Sequence, residues 1–216
     1  MYIARATRWP GSAEELVATQ LELAAARPPK WEFEAATVGG CFVCFQRGPS
    51  GPGRVGEPGW VGAAAGDAAV AVTGVAGAAY EAGLLALREG PLLEAAVRAL
   101  PSLPDVLLVN ATGRDHPRRA GLALHLGAVL GLPTVGVTHR PLLARPDEHG
   151  RLLLDGELVG YLVETNRGTR PLAVHAAWRT DPETAVALVR QSLRRARTPE
   201  PLRRARQAAR SARASG

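Results

Sequence analysis

A pair of cysteines and two groups of basic side chains have the chemistry to hold an ion in this chain. Cys41 and Cys44 form a C-x-x-C, a spacing that serves metal binding or thiol exchange when the two sulfurs meet. They lie in TVGGCFVCF, which reads as a β-strand, and residues three apart on a strand point to opposite faces. Both are therefore expected as small buried residues that share no ligand. Lysine occurs once, at Lys30, so nearly all of the 26 basic side chains are arginine. Residues 190–216 hold nine arginines and one acid, Glu200, a local charge of 9 − 1 = +8 against +6 for the whole chain, which leaves 6 − 8 = −2 for the rest. The basicity thus reads as a tail able to attract phosphates by counterion release, or as a solvated extension, and not as a property of the folded body. The second group is His116, Arg118 and Arg119. Residues 118–130 read as a helix, and cations beside free amides at a helix start suit a phosphate. His125, on the apolar face of that helix, reads as a satisfied core histidine.

The elements that must position these residues can be followed along the chain. Ser12-Ala13-Glu14-Glu15 is a capping-box pattern, and it opens a helix that ends at Arg27-Pro28-Pro29-Lys30. Residues 36–45 form a β-branched and aromatic run, followed by the loop RGPSGPGRVGEPG. Two apolar segments, 60–65 and 68–73, flank Gly66-Asp67 as a hairpin. A helix over 84–100 stops at Pro101. The apolar run 105–110 looks like a central parallel strand, and 134–138 looks like another. A hairpin across Asp155-Gly156, a strand over 172–178 and a helix opened by Asp181-Pro182 complete the pattern. With 46% hydrophobic and 21% charged residues over 216 positions, this order predicts one α/β domain whose mixed sheet is covered on both faces. No apolar run reaches 18 residues and MYIARATRWP has no signal-like core, so a soluble, cytoplasmic chain without a membrane partner is expected.

Four segments in register resemble the endonuclease V family, nucleases that cut near deaminated bases such as inosine. They are Tyr80-Glu81-Ala82-Gly83-Leu84-Leu85 running to Glu89; Pro104 to Asn110, through Gly113 to His116-Pro117-Arg118-Arg119; Gly121 and His125-Leu126-Gly127 to Leu132-Pro133-Thr134-Val135-Gly136-Val137; and Thr198-Pro199-Glu200-Pro201. Glu14-Glu15-Leu16 with Gln20 fits the family's first helix. The resemblance implies an RNase H-like fold, residues 1–197, with 198–216 as an arginine-rich tail. It also implies acids at strand ends that hold Mg²⁺, which lowers the pKa of a water and stabilises the phosphoryl transition state.

Carried onto this chain, the resemblance puts Phe42 and Asn110 where the family has aspartates, keeps Glu89, and puts His139, followed by Arg140, at a lysine and Trp178 at a histidine. Glu89 is then the one surviving carboxylate, with Mg²⁺ held weakly or not at all. Asp115 or Asp67 could replace a lost acid, although a loop acid such as Asp115 also reads as a helix N-cap or a solvated group. The resemblance puts Tyr80 at a wedge beside an extruded base, without flanking prolines because Ala79 and Ala82 stand there. Gly83 and Leu85 fall where backbone groups read the base, His116, Arg118 and Arg119 at phosphate contacts, and Ala111 at a glycine. Three readings follow: a catalytically impaired homologue that still binds inosine-containing or single-stranded DNA or RNA; a metal-dependent endonuclease with a rearranged site; or a protein-interaction pseudoenzyme.

Overall fold

A computed structural model describes residues 8–32, 36–46 and 53–215; the first residues of the chain and the first half of the glycine- and proline-rich loop lie outside the described residues. In chain order the strands are β1 (Val38–Phe45), β2 (Pro58–Ala65), β3 (Ala68–Val75), β4 (Val106–Val109), β5 (Thr134–Thr138), β6 (Arg145–Pro146), β7 (Arg151–Leu154), β8 (Glu157–Val163) and β9 (Leu172–Ala176). They form one mixed sheet in the order β3-β2-β1-β4-β5-β9-β8-β7-β6. The first three strands are an antiparallel meander, and β1, β4 and β5 run parallel at its centre. The carboxyl ends of these three strands therefore share one edge.

The central apolar runs have no polar alternation because both faces of the sheet are covered. Leu107 and Val109 join a core with Leu16, Leu93, Val97 and Leu124, under α1 (Ala13–Ala25), α2 (Leu85–Arg98) and α3 (Leu122–Leu130). Val106 and Leu108 face the other way, into a core with Val135, Val137, Leu188 and Leu202 under α4 (Pro182–Gln191) and α5 (Glu200–Ser215). The capping residue of α1 is as expected: Ser12 Oγ accepts from the Glu15 N–H at 3.2 Å, while the Glu15 carboxylate accepts from Gly11 N at 2.8 Å. Asp181 caps α4 by accepting from Thr184 N at 2.7 Å. Among the described residues no helix is long and apolar enough to cross a membrane.

Two elements differ from expectation. The helix expected from residue 118 begins only at Leu122, after an extended N-cap at Gly121. Arg119 has φ +57°, and Gly121 N donates to the Gly113 carbonyl at 2.9 Å, so residues 113–121 close a loop in place of a first turn. The arginine-rich segment expected as a tail is helix α5, laid across β1, β2 and β3. Its buried residues Leu202, Ala205 and Ala209 form a narrow stripe at helical spacing, which the surrounding arginines hide in any average of polarity. The helix reaches the sheet because two strand residues lack side chains: a methyl on Gly40 would lie 2.5 Å from the Pro201 carbonyl carbon, and one on Gly62 would strike the Ala205 carbonyl oxygen.

Gly62→Ala is therefore expected to lift α5 and cost about 1–3 kcal/mol, the range for overpacking. Urea unfolding would read the loss, and trypsin would cleave the arginines of α5 faster in the variant than in the parent.

Candidate functional site

At the carboxyl edge a recess of about 180 Å³ is lined by Tyr80, Gly83, Leu85, Asn110, His116, Thr138 and Leu142, among others. Tyr80 stands 55% exposed at its rim. Gly83, with φ +81°, turns its carbonyl away from the chain's own helix and offers it to three donors. Gln20 Nε2 donates to it at 3.0 Å, Arg118 Nη2 at 2.8 Å and His116 Nε2 at 3.2 Å. His116 Nδ1 accepts the Arg118 N–H at 3.2 Å, so Nε2 carries the ring proton. Burial pushes the His116 pKa down to about 4, so the ring is neutral near pH 7. Arg118 Nε also donates to Gln20 Oε1 at 2.6 Å. His116 and Arg118 thus hold the Tyr80–Leu85 segment against α1. Arg119 is engaged elsewhere: it donates to Leu154 O at 2.7 Å and pairs with Asp155 and Glu157 of the β7–β8 hairpin.

Asp115 supports the other wall from behind. It is neither a helix cap nor solvated: it is fully buried, and its carboxylate accepts from Leu142, Leu143 and Ala144 N at 2.6, 2.8 and 2.8 Å. Those bonds set the loop that brings Leu142 to the recess. Behind Asp115 lies His175, also fully buried, with Nδ1 3.7 Å from Asp115 Oδ2 and Nε2 3.0 Å from Thr138 Oγ1. Thr138 in turn donates to Arg140 O at 2.7 Å, so His175 Nε2 is the donor to Thr138. Sequence reasoning missed Thr138, Leu142 and His175, because partners 27 to 37 residues apart leave no spacing signal. Asp67 cannot serve the edge, since it sits exposed in the β2–β3 turn, beyond the Gly39↔Ala65 pair at the amino end of β1.

The four candidate catalytic positions lie in different surroundings. Asn110 is exposed at the recess, and its amide makes no hydrogen bond to the described residues. Glu89, on the α2 side of β1, raises the pKa of the Cys41 thiol beyond what burial does. Its own carboxyl is pushed up to about 7 by burial, which Arg88 only partly offsets. Phe42 is on the opposite face of β1, under the Arg206 guanidinium of α5 at 5.0 Å. Exposed His139 meets Arg197 Nη1 at Nδ1, 3.0 Å away. Cys41 and Cys44 are free thiols, one buried and one half-buried. Trp178 is a core residue, 5% exposed. His125 is in the core and stacks on Trp9 at 4.6 Å, but neither ring nitrogen has a partner among the described residues.

Set beside known proteins, residues 64–207 match the family model described as Endonuclease V. The endonuclease V of Methanopyrus kandleri is 44% identical over 140 residues, covering 61% of this chain and 60% of that protein. The chain spans about three fifths of the length of the curated relatives it matches. A crystal structure of endonuclease V from Streptomyces avermitilis superposes with a TM-score of 0.81 at 31% identity, over 96% of this chain and 95% of that one. The Ciona intestinalis enzyme, solved with a 24-residue DNA containing an inosine followed by a ribo-adenosine, shares the fold at 20% identity, with a TM-score of 0.78 over 94% of this chain and 98% of that one.

Three buried histidines, His116, His125 and His175, are held neutral with pKa values of about 4. Unfolded histidines take up protons near pH 6.5, so stability that is full above that pH is lost as the pH falls towards 4. His125→Phe removes one such group. Between pH 7.5 and 5 the variant is expected to lose about 2 kcal/mol less than the parent, read from urea midpoints at the two pH values.

Proposed function

This chain belongs to the endonuclease V family, and we propose that it works there as a reader of nucleic acid, holding an extruded deaminated base of the inosine type without cutting the strand by a metal-dependent route. The fold is the RNase H-like one of its relatives. The carrying observation is the donor set. Mg²⁺ asks for several hard, charged oxygens. Phe42 offers none, Asn110 offers a neutral amide, and Glu89 is the one carboxylate of the three. Arg206 over Phe42 and Arg197 against His139 add positive charge at the same edge. Among the described residues no three His, Cys, Asp or Glu side chains gather at one point. These residues do not fit a divalent cation, and no step is derived through one.

The recess is better provided. Tyr80 supplies an exposed aromatic face for stacking, and every nucleobase has a flat face to meet it. Leu85 and Leu142 line the recess with apolar surface, and Asn110 and Thr138 bring polar groups to it. An amide with no partner among the described residues can donate to and accept from the edge of a base at once. The walls are preorganised by the three bonds to the Gly83 carbonyl and the three to Asp115, so little ordering is left for binding.

The test is a labelled inosine-containing strand incubated with Mg²⁺ and with Mn²⁺, beside Glu89→Ala, with binding followed by gel shift. Binding without cutting is expected. Tyr80→Ala should weaken binding of the inosine strand about 5- to 100-fold, the value of one stacked base. Cutting by the parent that vanishes in Glu89→Ala would overturn the reading.

A further inference from the structure

The carboxyl edge carries a group of cations that the base recess does not use. Arg197 is pinned from behind, with Nε donating to Arg170 O at 2.7 Å and Nη2 to Pro171 O at 3.1 Å. Its Nη1 is left facing His139 Nδ1 at 3.0 Å. A guanidinium can only donate, so Nδ1 presents its lone pair and the His139 ring is neutral. The cause agrees, since partial burial and the charges of Arg197 and Arg206 all push the His139 pKa down. Arg206 lies over the Phe42 ring, and its Nε is buried with no hydrogen-bond partner among the described residues. Burial, and after it the charges of Arg210 and Arg197, lowers the pKa of its guanidinium.

No acid balances this group. Some arginines elsewhere are paired, as Arg203 with Glu200, Arg88 with Glu57 and Arg119 with Asp155 and Glu157, and others donate only to carbonyls, as Arg204 and Arg213 do. Arg197, Arg206 and Arg210 have no ion-pair partner among the described residues. Like charges gathered without a counter-charge cost free energy in the empty state and return it when an anion arrives. The planar guanidinium fork matches the oxygens of a phosphate group better than any other side chain. Arg213, which reaches Phe45 O at 3.3 Å near the end of β1, continues the positive surface along the helix, as a strand with repeated phosphates would require and a single free anion would not.

We propose that Arg197 and Arg206, with Arg210 beside them, form a phosphodiester site that holds one backbone phosphate of a nucleic-acid strand directly, at the edge where the family resemblance implies carboxylates and a metal. The inference stands on the sheet edge and α5 alone, and it does not require a base to enter the recess. A strand can then be gripped at the carboxyl edge with no divalent cation bridging protein and phosphate.

The test is fluorescence anisotropy of a labelled oligodeoxythymidine, which has no inosine, over a range of salt without divalent metal. Arg206→Gln and Arg197→Gln are each expected to weaken binding about 10-fold at low salt and to lower the salt slope by about one. Arg206→Lys should retain part of the affinity. Phe42→Asp removes no arginine but gives Arg206 a counter-charge, and should weaken binding to a similar degree. Arg203→Gln, whose side chain is already paired with Glu200, should change little. Tyr80→Ala removes no charge, so it should leave the salt slope of oligodeoxythymidine binding unchanged, and a failed recess and a failed phosphate site give different patterns. Thermal unfolding of each variant guards against misfolding. Unchanged affinity and slope in Arg206→Gln and Arg197→Gln would overturn the proposal, as would an equal loss in Arg203→Gln. Inorganic phosphate that binds as tightly as the strand would overturn the assignment to a nucleic-acid backbone.

Discussion

The contact between α5 and the bare backbone of β1 and β2 governs much of what this protein can do at its carboxyl edge. Gly40 and Gly62 leave no side chain beneath Pro201 and Ala205, so the helix seats directly on the sheet, with Leu202, Ala205 and Ala209 buried under it. That seating sets the register of every arginine on the helix. Arg206 falls over Phe42, Arg204 reaches the Gly66 and Asp67 carbonyls of the β2–β3 turn, and Arg213 donates to Phe45 O at 3.3 Å. Charge that would be diffuse on a free tail becomes charge at defined places.

The other side of the edge is held by two buried polar devices. One is the Gly83 carbonyl with its three donors from Gln20, His116 and Arg118; the other is the Asp115 carboxylate with its three amides. Each ties a loop distant in sequence to the end of the parallel strands, and buried charge-assisted bonds of this kind are costly to leave half made. The H-P-R-R segment makes its contacts to two such loops. His116 and Arg118 support the residue after the Tyr80 turn, and Arg119 fastens the β7–β8 hairpin.

Family membership and departure from the family sit side by side in this molecule. The overall fold is shared with the Streptomyces avermitilis enzyme. At the same edge a phenyl ring, a neutral amide and unpaired guanidiniums stand together. Metal-assisted phosphoryl chemistry is an electrostatic device, and on the reading proposed above positive groups at this edge attract a strand in place of a cation. Attraction of a strand needs only positive charge, which remains plentiful there.

Much of this was legible from residues alone. The apolar runs ending at Val109 and Val137 marked the parallel centre, because a strand buried on both faces has no polar alternation to lose. Ser12 and Asp181 marked helix starts through the chemistry of their own side chains, and Phe42 and Asn110 cannot supply a carboxylate in any fold. What needed the tertiary structure were contacts between residues far apart in sequence. Asp115 read as a loop acid until Leu142, Leu143 and Ala144 came round to it, and Asp67 read as a possible substitute until the direction of β2 placed it at the far edge. Residues 198–216 read as a tail, either phosphate-attracting or solvated, because their burial stripe is one leucine and two alanines, too little apolar surface to show until two glycines on other strands let it close. Local pattern records which groups a residue carries and its own helix or strand period; which face it meets, and what charge stands opposite, is decided only when the sheet brings distant segments to one edge.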